Sequence, residues 1–270
     1  MASVMVRRDG RGRCEMRKKE MRISDLSQFD GSSWYSQGLT AVCVAVNGPV
    51  AAKQEDYRKC VVSVQVTHAS RIPPAGGADR LCVIQKQEQQ RREDGEIGQF
   101  LTSIVEAIVR LERFPRCVLQ VHVTVLFNDG SLLAVATNGL MCALLDAGVP
   151  CRTTVAAVCL LACSTDGNDQ KNSSTEQVSS TPVLLLDPTL AEEESDEVSS
   201  HAIGTFVVAN PSSCGGGTNC VLASKVHVRP QSSLGACRLH VNDLNSMVGL
   251  AGKAVETLFT FFRNCNTPLE

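Results

Sequence analysis

The sequence predicts a protein of mixed helices and strands, with the strands packed beneath the helices, and three observations support this expectation. Residues 119–125 alternate apolar and polar side chains, as a half-buried strand does, and residues 153–161 form a second apolar strand. Between them, residues 133–145 carry small apolar side chains at helical spacing. Aromatic residues make up only 4% of the chain, so we expect a core of Val, Leu, Ala and Ile.

Two turn signals bound the small-residue helix. Asn128-Asp129-Gly130 precedes it, and the glycine there supplies the positive φ that a tight reversal needs. Asp146-Ala147-Gly148 follows it, with Gly148 as the expected left-handed cap, and Val149-Pro150 leads into the next strand. The complete order of strand, turn, helix, turn and strand is a more specific signal than any one of these elements alone.

The remaining elements are predicted from the same periodicities. Residues 41–46 and 60–67 read as strands, and so do residues 203–208 and 221–228, which we expect to pair. Residues 96–113 form an amphipathic helix. A second amphipathic helix begins at the cap Asn242-Asp243 and is expected to belong to the core.

Composition excludes several classes of protein. A chain of 270 residues that is 43% hydrophobic and 20% charged can bury a sizeable core and is not globally disordered. The net charge of −2 gives no overall field for nucleic acid, so any RNA contact must be local. No apolar run is long enough for a membrane span, and the start of the chain lacks a secretory apolar region. Thirteen cysteines scattered through apolar segments indicate a reducing compartment, cytosolic or nuclear.

The central stretch resembles the RNase PH-like family of phosphorolytic exoribonucleases. The matching residues are Asp129-Gly130 with the helix after it, and the run ALLDAGVP at residues 143–150. Arg8-Asp9-Gly10-Arg11 and Gly38-Leu39-Thr40 resemble further family elements, and the similarity extends more thinly from Ile23 to the C-terminus. The resemblance implies an α+β fold of two βαβα-type halves, ribosomal protein S5 domain 2-like, with mixed sheets covered by helices. Within the family, the match is to ring subunits of the eukaryotic RNA exosome.

The resemblance also suggests how the chain is divided. Residues 1–22 form a basic N-terminal arm, and residues 23–270 form a single RNase PH-like domain with insertions at 68–95, 164–181 and 210–220. The arm can bind RNA phosphates or an acidic neighbour, or it can be a solvated terminus. In the family, this element packs along the ring subunit and does no chemistry.

The family resemblance implies that the catalytic site is degenerate. Active members begin the helix after residue 95 with E-I-x-R-x-x-x-R, whose arginines hold the attacking phosphate; here these positions are Gln99 and Ser103. Charge matching of a dianionic nucleophile requires such cations. The family's essential Asp aligns with Ser199, although the alignment can slide, which leaves Asp187 and Asp196 as candidate carboxylates. No catalytic residue is therefore assigned.

The long segment 68–95 is predicted to be a loop with at most a short helix. In ring proteins of this family, the corresponding loop faces the channel, so the resemblance assigns RNA binding to its arginines. The candidates are Arg71, Arg80, Arg91 and Arg92. The alternative is a solvated loop, because nearby carboxylates nearly cancel this charge.

Two other polar segments suggest no chemistry. The acidic run at residues 192–197 is expected to be a solvated loop. The glycine-rich segment 210–220 is expected to be a flexible hairpin, because it lacks the sequence context of a phosphate-binding loop. Cys214 and Cys220 have no second ligand pair nearby, so neither a metal nor another cofactor is expected.

Three functions remain open. The first is a non-catalytic subunit of the hexameric RNase PH-like exosome ring, which supports 3′-to-5′ RNA processing and degradation, including rRNA maturation. Its partners would be other RNase PH-like ring subunits, S1/KH cap subunits and single-stranded RNA in the channel. No membrane association is expected. The expected location is the nucleus and nucleolus, and also the cytoplasm. The second is a phosphate-dependent 3′-to-5′ exoribonuclease, active alone or through a composite site with a ring neighbour. A free-standing RNA-binding module is the third.

Overall fold

A computed structural model describes residues 7–51, 56–69, 80–163, 183–194, 200–210, 220–228 and 239–266. In chain order, its elements are β1 (Lys19–Ile23), β2 (Gly31–Gln37), β3 (Thr40–Ala51), β4 (Val61–His68), α1 (Arg80–Ile108), a 3₁₀ turn (Leu111–Arg113), β5 (Cys117–Phe127), α2 (Leu132–Asp146), β6 (Val155–Cys163), β7 (Val183–Leu186), α3 (Leu190–Glu194), β8 (Ser200–Ala209), β9 (Cys220–Val228) and α4 (Val241–Asn266).

The first half of the chain forms a mixed five-stranded sheet in the order β1-β2-β3-β5-β4. β4 runs parallel to β5, and the other neighbours are antiparallel. Alternation in β5 directs Val121 and Val123 into the core, where they are fully buried, and places Gln120 and His122 on the opposite face. The predicted half-buried strand is confirmed: one face of β5 is buried in the core, and the other face is partly exposed to solvent.

The second half forms an antiparallel sheet in the order β7-β6-β8-β9. All nine residues of β6 are buried, which explains why its sequence is apolar throughout and does not alternate. Where β7 does not reach along β6, the side chain of Asn138 pairs with both backbone groups of Ala157, at 3.0 and 2.8 Å. The predicted pairing of the strands now labelled β8 and β9 is confirmed.

The small-residue helix α2 contacts strands of both sheets. Eleven consecutive residues, 134–144, are buried, so small side chains are needed on every face of the helix. A Cβ added at Gly139 would lie 2.9 Å from the Val42 side chain, which shows how closely α2 approaches β3. Gly130 and Gly148 have φ values of +87° and +64°, so both predicted glycine turns are confirmed.

Two predictions about the first 110 residues need correction. Residues 68–95 were expected to be a loop, but α1 begins at Arg80 and is 29 residues long. The Gln- and Glu-rich run favours a helix, and this propensity outweighs the lack of apolar periodicity in its first turns. Residues 19–22 of the predicted arm belong to β1 and are part of the sheet.

The other predicted insertions lie largely outside the described residues, since 164–182 and 211–219 are not described. No helix in the described ranges is both long and apolar enough to cross a membrane.

Candidate functional site

The two positions predicted to have lost the family's arginines lie on one side of α1. Gln99 and Ser103 are exposed, and both line a cavity of about 450 Å³ between α1 and β4. The Ser103 hydroxyl donates a hydrogen bond to the carbonyl of Phe100 at 2.7 Å, within the helix. Among the described residues that line it, the charged ones are Asp94 and Glu106, and none is a lysine or arginine that could bind phosphate.

A second cavity, of about 210 Å³, lies at the N-terminus of α2. Ile97 of α1 lines it, so it lies on a different face of α1 from Gln99 and Ser103. Its polar side chains come from four elements or their boundaries, and include Ser131, Glu193, Lys225 and His227. Helix N-termini attract anions because their backbone N–H groups are unpaired and lie at the positive end of the helix dipole.

The anion at this helix terminus is a side chain of the protein itself. The Ser131 N–H donates a hydrogen bond to Oε1 of Glu193 at 2.7 Å. Ser131 adopts φ +55°, and its own hydroxyl donates to the carbonyl of Pro188 instead of capping the helix. The expectation that the acidic run is a solvated loop is therefore wrong for Glu192 and Glu193, which are buried or half-buried. Residues 195–199 lie outside the described residues.

Two further groups of this cavity, Lys225 and Cys159, are engaged or unreactive. Nζ of Lys225 lies 2.8 Å from Oε2 of Glu96, so its charge is directed to α1. Burial raises the pKa of the Cys159 thiol, with a further increase from Glu193, so this thiol remains neutral and is a poor nucleophile. The cavity thus contains a carboxylate, a paired lysine, a neutral thiol, the Thr205 hydroxyl and the His227 imidazole.

Asp187, one of the candidate catalytic carboxylates, lies at the end of β7 and is 1% exposed. Its Oδ1 accepts a hydrogen bond from Nη2 of Arg17 at 2.7 Å, and its Oδ2 accepts from Nε at 3.0 Å. Burial acts to raise the pKa of Asp187, but the hydrogen bonds and charge of Arg17 outweigh it and leave the pKa below its usual value. Asp187 is therefore a structural carboxylate that substrate cannot reach.

The N-terminal segment is fixed to the rest of the chain by buried arginines. Nε of Arg7 donates to Oε1 of Glu192 at 2.7 Å, and its other nitrogens reach the carbonyls of Leu186 and Asp187. Arg17 also donates to the carbonyls of Asp129 and Gly130, in the turn before α2. The solvated-terminus alternative is wrong for Arg7 and Arg17, and the family expectation that this element packs along the subunit agrees with these contacts.

The structure leaves the predicted RNA-binding residues as predictions. Arg91 and Arg92 are exposed on α1, two turns before Gln99. Arg80 is the first residue of α1, and Arg71 lies outside the described residues. Ser199 and Asp196 are outside them too, so the alignment of the acidic segment is not tested.

No group of three or more His, Cys, Asp or Glu side chains that could hold a metal ion is found within the described ranges. The described cysteines are all free thiols.

Sequence reasoning missed the buried pairs that shape this region, Arg7 with Glu192 and Arg17 with Asp187. A usable signal was present, because a basic N-terminal segment and an acidic segment after a strand carry opposite charges. Their sequence separation of 170 residues or more hid the pairing, since no local periodicity connects them.

Comparison with known proteins identifies the family to which this chain belongs. Residues 15–150, half of the chain, match the profile of RNase_PH, described as the 3′ exoribonuclease family, domain 1. "Exosome complex component rrp46" of Schizosaccharomyces pombe is 34% identical over 129 residues, 47% of this chain and 50% of that protein. "Exosome complex component RRP41" of Homo sapiens is 30% identical over 158 residues, 55% of this chain and 59% of that protein. The chain thus spans between half and three fifths of these curated relatives.

Two solved structures resemble nearly the whole chain in fold. The crystal structure of rice (Oryza sativa) Rrp46 matches with a TM-score of 0.69 and 22% identity, covering 95% of this chain and 98% of that one. The archaeal exosome core matches with a TM-score of 0.62 and 18% identity, covering 94% and 90%. At these identities the likeness concerns the fold, and it confirms the α+β, RNase PH-like fold expected from the sequence.

Proposed function

This chain belongs to the 3′ exoribonuclease family of RNase PH type, and we propose that it is a non-catalytic, structural subunit of the RNase PH-like ring of an RNA exosome, of the Rrp46 type. In this role it supports 3′-to-5′ RNA processing and degradation by completing the channel that threads single-stranded RNA. Its partners are other RNase PH-like ring subunits and S1/KH cap subunits. It works in the nucleus and nucleolus, and also in the cytoplasm.

The observation that carries this proposal is the carboxylate of Glu193 at the N-terminus of α2. Phosphorolysis needs a bound phosphate dianion, and a helix N-terminus is a favourable place for one. Here the Ser131 N–H is bonded to Glu193, and the cavity's lysine, Lys225, is paired with Glu96. A phosphate entering this cavity would meet a negative charge and would have to displace an existing hydrogen bond.

Phosphate binding tests this argument directly. We expect inorganic phosphate to leave the thermal unfolding of the wild-type protein unchanged beyond its general salt effect, and to stabilise Glu193→Ala specifically. Glu194→Ala is the matched control, because Glu194 is the exposed neighbour in the same short helix. An equal phosphate-induced shift in wild type and Glu193→Ala would contradict the proposed blockage.

Assembly tests the structural role. Coexpression with an RRP41-type subunit of the same organism is expected to give a stable heterodimer by gel filtration, and hexameric rings when the other ring subunits are added, by native mass spectrometry. A chain that stays monomeric with every ring subunit would count against the proposal. A fluorescent fusion expressed at natural levels checks the nuclear, nucleolar and cytoplasmic distribution.

A composite active site shared with a neighbour is the second candidate, because Arg91 and Arg92 are adjacent, exposed and on one turn of α1. In that case the chain would supply phosphate-binding cations to its partner's site. Replacing both arginines by alanine would then lower the phosphorolytic kcat/KM of the pair without dissociating it. Unchanged activity would leave only the structural role.

A further inference from the structure

The groove between β4 and α1 has features that the ring-subunit role does not explain. β4 is the terminal strand of its sheet and, in the described part of the chain, pairs only with β5. The 450 Å³ cavity lies along this edge and is lined by residues of β4 and of successive turns of α1. An open strand edge beside a helix is a geometry in which proteins bind extended peptides by strand addition.

The backbone of β4 presents hydrogen-bonding groups on the groove side. Ala69, directly after β4, donates its N–H to Val125 of β5 at 2.8 Å, so odd-numbered residues of β4 face β5. Alternate residues of a strand direct their backbone groups to opposite sides. The N–H and C=O groups of Val62, Val64 and Val66 therefore point toward the free edge, as an added strand requires.

The helix wall of the groove contains two glycines, Gly95 and Gly98, within α1. Glycine is unfavourable in a helix interior, so its presence calls for a reason. A Cβ added at Gly95 would meet no atom of the described residues within 4 Å, so their packing does not require glycine there. The bare backbone at Gly95 would allow another chain to approach closely.

Charge favours a particular kind of peptide. The described residues of the lining include the carboxylates of Asp94 and Glu106 and no lysine or arginine, which opposes the phosphates of RNA. Asp94 lies 2.9 Å from His68, at the end of β4. Glu106 is paired with Lys59 at 3.6 Å, before the start of β4, and both side chains are about half exposed. A basic side chain of an incoming peptide can replace Lys59 as the partner of Glu106.

The same charges oppose a second copy of this chain as the occupant. Two-fold pairing of β4 with itself would be antiparallel and would bring the start of one strand opposite the end of the other. Glu106 of one copy would then approach Asp94 of its partner copy, and the repulsion between these carboxylates would offset the attraction between Lys59 and Asp94. A separate peptide carrying positive charge avoids this repulsion.

We propose that the groove between the free edge of β4 and α1 binds an extended, basic peptide segment of a partner protein as an added strand. The backbone groups of Val62, Val64 and Val66 pair with the peptide backbone. Glu106 receives a basic side chain, and Gly95 leaves room for the peptide. The eight residues of β4 set the length of the bound segment.

Fluorescence anisotropy with the full chain tests the proposal. The probe is a fluorescein-labelled octapeptide of alternating Lys and Val, compared with alternating Glu and Val, and with the Lys-Val peptide N-methylated at every second residue. We expect saturable binding of the first peptide only, because N-methylation removes the donors that strand addition needs while keeping the charge. Failure to saturate at about 1 mM, or equal binding of the N-methylated peptide, would overturn the proposal.

Matched glycine variants separate groove filling from altered stability. Gly95→Gln fills the groove, whereas Gly249→Gln adds the same side chain to α4, where an added Cβ also meets no atom within 4 Å. Both variants are expected to melt no lower than wild type, since glutamine is the better helix former. Gly95→Gln should weaken binding of the Lys-Val peptide at least about tenfold and Gly249→Gln should leave it unchanged. Equal effects of the two would overturn the assignment to this groove.

Charge variants and two competing occupants complete the test. Glu106→Lys should weaken binding, whereas Glu256→Lys on the exposed face of α4 should not; equal weakening would indicate non-specific attraction and overturn the proposal.

Binding of labelled single-stranded RNA that Gly95→Gln abolishes would assign the groove to RNA instead. A concentration-dependent dimer that Gly95→Gln dissociates would assign it to a second copy.

Discussion

At the residue scale, the arginines of the N-terminal segment fix how the two sheets are joined. Arg17 is 7% exposed and bonds to Asp187 beside β7 and to the turn between β5 and α2. Arg7 bonds to Glu192, and α3 carries both Glu192 and the Glu193 that occupies the α2 terminus. Arg7 and Arg17 therefore help to position the Glu193 carboxylate, which occupies the N-terminus of α2 in the cavity.

Loss of one partner of the Arg17–Asp187 pair is expected to be costly. Arg17→Ala leaves the Asp187 carboxylate buried and without its main partner, which should lower the free energy of unfolding by about 3–5 kcal/mol. Lys18→Ala is the neighbouring control, because the Lys18–Glu20 pair is exposed and solvent screening should leave its contribution to stability small. Urea denaturation of both variants measures the difference, and similar losses would show that the buried pair has no special role.

The same pairs make stability depend on pH. The pKa values of Asp187 and Glu192 are below their usual values, since the hydrogen bonds of Arg17 and Arg7 outweigh the opposing effect of burial. The stabilisation is present above the unfolded-state pKa values, about 4, and is lost as the pH falls through the lower folded-state values. Urea denaturation should show constant stability from about pH 7 to pH 5 and a decrease below about pH 4. Asp187→Asn should flatten this decrease, and an unchanged pH profile in that variant would contradict the account.

At the element scale, α2 sets how closely the two sheets approach, and its end is as tightly packed as its middle. A Cβ added at Gly31 of β2 would overlap the backbone of Ala147, directly after α2. The backbone cannot yield as a flexible side chain does, so Gly31→Ala should destabilise the protein by about 1–3 kcal/mol. Gly249→Ala, which meets nothing, should instead stabilise α4 by up to about 1 kcal/mol. Thermal denaturation checks both signs, and stabilisation by Gly31→Ala would contradict the described packing.

Elements with strong local signals were predictable from sequence, and those fixed by distant contacts were not. α2 was predicted because its glycine turns and small residues are local signals that lie within a few positions of the helix itself. β5 was predicted because its alternating apolar and polar residues reflect one buried face. The start of α1 was missed because a short apolar run at residues 81–84 is followed by the polar run 85–94, so no helical periodicity continues through the first turns. The role of α3 was missed because Arg7, which holds it, lies 185 residues away in sequence.

At the scale of the whole molecule, the proposed lack of catalytic activity rests on two separate observations. Sequence comparison with the family indicated that arginines are absent at Gln99 and Ser103. The structure places these residues in one cavity and adds a feature that sequence could not supply, the Glu193 carboxylate at the α2 terminus in another cavity. Only the three-dimensional arrangement brings Glu193 next to Ser131, 62 residues earlier. Both observations support a subunit that builds the ring without cleaving RNA.

Phosphorolysis by the purified chain, alone and paired with its RRP41-type neighbour, tests this central claim most directly. The substrate is a labelled single-stranded RNA with phosphate and magnesium, and release of nucleoside diphosphate is followed. The account predicts no release from the chain alone, and it predicts that any release from the pair is unaffected by Glu193→Gln or Asp196→Asn in this chain. Phosphate-dependent release by the chain alone, abolished by Asp196→Asn, would contradict it and show that the catalytic carboxylate lies in the acidic segment after α3.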